Sequence, residues 1–115
     1  MEIPTPIEWE GREVDTVDVL LFIKRELDKG RPLWLFTGYA TAESLVSFIQ
    51  GLELSRAYNS RPDERYRQFV SWLRDEKHEF PGEGWADHYL RQHGGDHHAA
   101  VMRFLNYVTE FATRS

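Results

Sequence analysis

The chain has 115 residues, 41% of them hydrophobic and 14% aromatic, with a formal charge of −5 and no cysteine. That length supports one hydrophobic core and starves a second, and four Trp, seven Phe and five Tyr supply enough apolar bulk to exclude an intrinsically disordered chain. The acidic balance excludes the one-signed basic surface with which most nucleic-acid binders neutralise phosphate, and the missing thiols exclude disulfide stapling, thiol catalysis and cysteine-ligated zinc.

The first 13 residues, rich in proline and acids, predict an irregular segment. They carry no basic stretch followed by an apolar one, so they do not read as a secretion signal. The longest apolar run, Val19 to Ile23, is far short of the roughly 20 residues that span a bilayer. A cytoplasmic chain with no membrane partner is expected.

Asp15 or Thr16 can cap a first helix that runs through VDVLLFIKRELDKG and stops at Gly30, with Pro32 barring extension. The four apolar residues Leu33 to Phe36 then predict a loop with at most a short strand. Thr41 can cap the next helix, whose Leu45, Phe48, Ile49 and Leu52 fall at the spacing of one buried face, and Gly51 inside it suggests a close helix crossing. Ser60 and Pro62 open a third helix with Tyr66, Phe69, Val70 and Leu73 inward, ending near His78. FPGEGW breaks the chain, and WADHYLRQH forms a short helix closed by Gly94 and Gly95. Asp96 starts the last helix, which carries Val101, Phe104, Leu105, Val108 and Phe111 inward. The sum is an all-α single domain, a bundle of about five helices with an irregular N-terminal segment.

The stretch HGGDHH, His93 to His98, puts three histidines and an aspartate, all metal-ligating residue types, into six positions. Zinc needs three or four ligands converging at about 2.0 to 2.2 Å. Helical neighbours project about 100° apart, so His97 and His98 do not readily chelate one ion, and Gly94 and Gly95 interrupt the helix that would align His93 with His97. The same residues make sense as punctuation: a glycine ends one helix, Asp96 caps the next, and His97 and His98 sit in its first turn, where the helix dipole favours neutral rings. A metal site built from His93, Asp96, His97 and His98, with His78 or His88 in support, stands as the alternative reading.

No G-x-S-x-G, H-E-x-x-H, Walker loop or dinucleotide fingerprint is present, and the paired carboxylates Glu8 with Glu10 and Asp15 with Asp18 read as solvated surface. Neither catalytic residues nor a cofactor are expected. Arg61, Arg65, Arg67 and Arg74 interleave with Asp63, Glu64, Asp75 and Glu76, the pattern of a salt-bridged exposed face. Trp72 and Trp85 sit at core spacing, while Trp9 and Trp34 fall in irregular segments, where plugging the core is favoured over marking a contact surface. Asp15, Asp18, Glu26 and Asp28, with Trp34 near them in sequence, form the surface expected to bind a partner.

From Phe69 onward, FVSWLRDEKHEFPGEGWADHYL and GGDHHAAVMRFLNYVTEF resemble a family of small uncharacterised bacterial helical proteins, some thought to be immunity-like partners of toxins. The likeness rests on Phe69, Trp72, Leu73, Lys77, Trp85, Leu90, Asp96, Ala100, Phe104, Leu105, Glu110 and Phe111. Upstream, Arg31, Pro32, Leu33, Trp34, Gly38 and Gly51 correspond loosely to an RPGMYLG-like element of the family, whose usual glycine and tyrosine are missing here. The resemblance implies a helical fold and a non-enzymatic inhibitor that binds another protein, such as a basic toxin. It brings no catalytic residues.

Overall fold

The caps anticipated from the sequence organise the fold of this computed structural model, which describes residues 7–59, 63–79 and 84–114. A 3₁₀ turn, Ile7–Trp9, precedes α1, Thr16–Asp28. Asp15 accepts from the Asp18 N–H at 2.8 Å, and the Asp18 carboxylate accepts from the Asp15 N–H at 3.1 Å, a reciprocal capping box. The remaining helices are α2, Trp34–Thr37; α3, Ala42–Tyr58; α4, Glu64–Asp75; α5, Trp85–Gln92; and α6, His97–Thr113. Among the described residues there is no strand, and the whole is an all-α bundle.

α2 corrects the expectation of a loop or strand over Leu33 to Phe36. Pro32 is suited to the start of a helical turn, and Gly38, left-handed at φ 82°, closes it with a 3.0 Å bond from its N–H to the Trp34 carbonyl. The result is six α-helices among the described residues, where about five were expected. Ser60 and Pro62, the expected opening of α4, lie outside the described residues, and the cap is Asp63, which accepts from the Tyr66 N–H at 2.8 Å. α4 ends at Asp75, short of His78, whose own backbone is left-handed. Gly51 does not mark a helix crossing, since a Cβ there meets nothing within 4 Å.

α6 is the central element and packs against α1, α3, α4 and α5. Its Ala100, Val101, Phe104, Leu105, Val108 and Phe111 are buried, as the periodicity predicts, beside Val17, Leu20 and Ile23 of α1, Leu45 and Ile49 of α3, and Phe69 and Leu73 of α4. Aromatic rings knit the far side of α6. Phe69 meets Phe104 and Phe111 edge-on at 5.6 and 5.5 Å, and Trp85 stacks flat on Phe104 at 3.9 Å. No helix among the described residues is long and apolar enough to cross a membrane.

Candidate functional site

A large concavity lies along α3, walled by the first turns of α4 and α5. It arises because α3 is apolar on two adjoining faces. Ala42, Leu45 and Ile49 point into the core, and Val46, Leu54 and Ala57, with the polar Gln50 among them, repeat at helical spacing one face over. A helix with one apolar stripe is satisfied by one neighbour; among the described residues the second stripe of α3 is covered only in part, by Tyr66 of α4 and by Trp85 and Ala86 of α5. The resulting groove has a volume of about 830 Å³, within the range of ligand and peptide sites. Leu54 on its floor is 63% exposed, and Tyr58 beyond it is 85% exposed.

The groove is rimmed by carboxylates. Among the described residues, Glu43, Glu53, Asp63 and Asp87 line it, against one cation, Arg67. These acids differ in what already satisfies them. Asp63 is 4% exposed and fully engaged: it caps α4, accepts the Thr16 N–H at 2.7 Å across 47 residues of sequence, and lies 3.6 Å from the Arg56 guanidinium. Asp87 pairs with Arg91 at 2.8 Å. Glu53 accepts the Thr16 hydroxyl on Oε2 at 2.6 Å, and its Oε1 has no partner among the described residues. Burial raises the Glu53 carboxyl above its ordinary 4.5, reinforced by the nearby Asp63 charge and opposed by the Thr16 hydrogen bond and by Arg56 and Arg67. Burial likewise raises the Tyr66 phenol, with Glu53 and Asp63 adding to the effect, so this wall of the groove presents a protonated hydroxyl.

The acids expected to form a partner surface are disposed otherwise. Asp15 and Asp18 are the half-buried capping box of α1, and Arg65 spans them at 3.4 and 3.0 Å while Arg12 holds Asp18 at 2.6 Å. Burial raises the Asp15 carboxyl. It acts on Asp18 too, but there the Asp15 amide and the Arg12 and Arg65 guanidiniums outweigh it and hold the group below its usual range. Glu26 is buried between Lys29 and Arg31, at 3.2 and 3.4 Å, and Asp28 pairs with Lys24 at 2.8 Å. Every member of the set is therefore neutralised within the chain, and none lines the groove. Trp34 does not plug the core: it is 53% exposed on α2. Trp9 stands edge-on to Phe22 at 5.2 Å.

The histidine stretch is a helix junction. Gly94 and Gly95 are both left-handed, and the Gly95 N–H reaches back to the Leu90 carbonyl at 2.8 Å, closing α5, while Asp96 accepts from the Ala99 N–H at 3.0 Å, opening α6. His97 Nδ1 accepts the Ala42 N–H at 3.1 Å and so ties the start of α6 to the start of α3. A ring nitrogen that accepts is unprotonated, so this geometry takes the neutral imidazole. His93, Asp96 and His98 are exposed, and among the described residues no three His, Asp or Glu side chains come together as metal ligands. On the α4 side, Arg67 and Arg74 pair with Glu64 and Asp75 as the interleaved charges suggest, whereas Arg65 reaches Asp15 and Asp18 at the start of α1 and Asp63 is buried and not exposed. Arg61 lies outside the described residues.

Sequence reasoning missed the groove, although its signal is present: α3 carries more apolar positions than one core stripe needs. It also missed the polar links of Asp63 and His97, whose partners are distant in sequence. Compared with protein-family models, curated proteins and solved structures, the chain matches none.

Proposed function

We propose that this chain is a protein–protein interaction module whose groove, between α3 and the first turns of α4 and α5, receives a segment of a partner protein. The observation that carries the reading is the second apolar stripe of α3, open to water at Leu54 and flanked by acids. The toxin-neutralising role implied by the family resemblance is the finer form of the same reading, and the net charge of −5 suits a basic toxin by speeding its encounter with the chain.

The test is photo-crosslinking in the source cells from a reactive residue placed at Leu54, with the same residue at Trp34 as comparison. A protein captured at position 54 and not at 34, then purified and titrated, should bind L54D at least about ten times more weakly than wild type. Equal affinity for the two would remove the groove as the site. For the finer reading, the captured protein should arrest growth when expressed alone and not when expressed with this chain. Arrest that persists on co-expression would leave a binding module that is no inhibitor.

A further inference from the structure

Resting on the reading of the groove as a partner site, we propose that its occupant is a basic amphipathic helix of the partner, laid along α3, with a lysine or arginine seated on Glu53. Three features of the groove point to this chemistry.

The first is shape. The lining positions on α3 run from Glu43 to Ala57 as one continuous face, about 21 Å long at 1.5 Å per residue. A helix of about four turns has the same length, and Val46, Leu54 and Ala57, at i, i+8 and i+11 with the polar Gln50 at i+4, lie along one side of α3 and offer it apolar contact near both ends of the groove.

The second is charge. Of the four rim acids, Asp63 and Asp87 are already engaged inside the chain, which leaves Glu43 and Glu53. Glu43 lies 3.9 Å from His97 Nδ1, beyond hydrogen-bond reach, and that nitrogen is already engaged by the Ala42 N–H. Glu53 has one carboxylate oxygen fixed by Thr16, and the other has no hydrogen-bond partner among the described residues. Arg56 and Arg67 act on this carboxylate only from a distance, and a part-buried carboxylate held in place with no direct ion pair among the described residues is prepared for one, because the ordering of its side chain precedes binding. Glu43 and Glu53 are about 15 Å apart along the α3 axis, so the occupant should carry cations at that separation with apolar residues between.

The third argues against a second copy of this chain. A two-fold pairing would set this acidic rim against itself, bringing Glu43 and Glu53 against like charges with Arg67 already paired to Glu64 at 3.3 Å. Charge complementarity favours a basic segment instead.

The experiment uses the full chain and two fluorescein-labelled synthetic helices of about 18 residues. They share one leucine stripe and differ only in carrying Lys or Glu at the two positions about 15 Å apart. Fluorescence anisotropy should show the Lys helix binding at least about tenfold tighter than the Glu helix, and weakening as NaCl rises from about 50 to about 300 mM. Glu53→Gln should weaken the Lys helix about threefold, and Glu53→Lys should reverse the preference between the two. Circular dichroism confirms that each variant keeps its helicity; Glu43→Gln, at an exposed position, supplies a second variant with the same expected direction.

Several results would overturn the inference. If both helices bind equally and neither Glu53 variant changes that, no cation is seated there; crosslinking at position 54 still decides the groove itself. If neither helix binds while sedimentation shows a dimer that Leu54→Asp dissociates, the occupant is a second copy. If neither helix binds and the chain is a monomer, the basic-helix chemistry is wrong.

Discussion

Asp63→Ala should be among the most damaging single substitutions in this chain, because one carboxylate holds two helix starts. Its Oδ1 accepts the Tyr66 N–H at 2.8 Å and its Oδ2 accepts the Thr16 N–H at 2.7 Å, both out of water. Loss of an ordinary N-cap costs about 1 kcal/mol. Hydrogen bonds to a charged group are worth about 1.5 to 3 kcal/mol each, and a buried N–H left without a partner carries a similar penalty, so losing both gives about 4 kcal/mol. With an unfolding entropy of about 2.1 cal/mol/K per residue over 115 residues, that loss lowers the melting temperature by about 17 °C. Asp63→Asn keeps one neutral acceptor and should lose about half as much. Urea unfolding measures both, and hydrogen exchange at the Thr16 amide, protected in the wild type, should accelerate in Asp63→Ala. A loss near 1 kcal/mol with Thr16 still protected would mean that Asp63 is only a local cap and that the bond across to α1 does not hold the two helices together.

Three further outcomes test other parts of the fold. His97→Ala strands the Ala42 N–H and should cost about 1 kcal/mol in urea unfolding, with His97→Asn recovering part of it by offering an acceptor; equal losses would disprove the bond. Gly51→Ala should stabilise by about 0.5 to 1 kcal/mol, since the site is helical and open, and a loss would reveal a neighbour at that position. Glu53→Gln should be slightly more stable than wild type at neutral pH. Because burial raises the Glu53 carboxyl in the folded state, the fold binds its proton more tightly than the unfolded chain does, so stability falls as pH rises from 4.5 through the folded value. The advantage of the variant should therefore shrink when urea unfolding is repeated below 4.5, and a difference independent of pH would contradict it.

What was legible in the sequence was local. Asp15, Thr41 and Asp96 cap helices through bonds spanning three residues, and Gly94 and Gly95 end α5 through their own backbone angles, so each signal is complete within a few positions. The inward faces of α1, α4 and α6 follow from a single stripe each. α2 was not legible because Leu33 to Phe36 is too short a run for any period to distinguish a turn of helix from a strand. Asp63 read as one charge in an alternating series, and only the approach of Thr16 from α1 makes it a buried bolt. His97 read as one of three similar histidines until Ala42 arrived at its ring. The groove needed the tertiary fold for a different reason. Periodicity shows that α3 has two apolar stripes, but which of them the neighbouring helices cover depends on how α5 and α6 pack.

The candidate surface moved from α1 to α3 because charge in sequence and charge available for binding are different quantities. α1 and its flanks hold acids close together, and the fold satisfies each one: Asp15 and Asp18 with Arg65, Glu26 with Lys29 and Arg31, Asp28 with Lys24. Their remaining field is that of small dipoles, and breaking any pair to bind a partner would return its cation to water with little gain. α3 holds fewer acids, but Glu53 is positioned by Thr16 and leaves an oxygen unsatisfied beside an apolar stripe. Affinity in such a site comes mainly from burying Leu54 and its neighbours, so it governs how long a partner stays. The acids govern how fast it arrives and which sequence is accepted. The two contributions are separable: Leu54→Asp should act chiefly on dissociation, and a charge change at exposed Glu43 chiefly on association and its salt dependence.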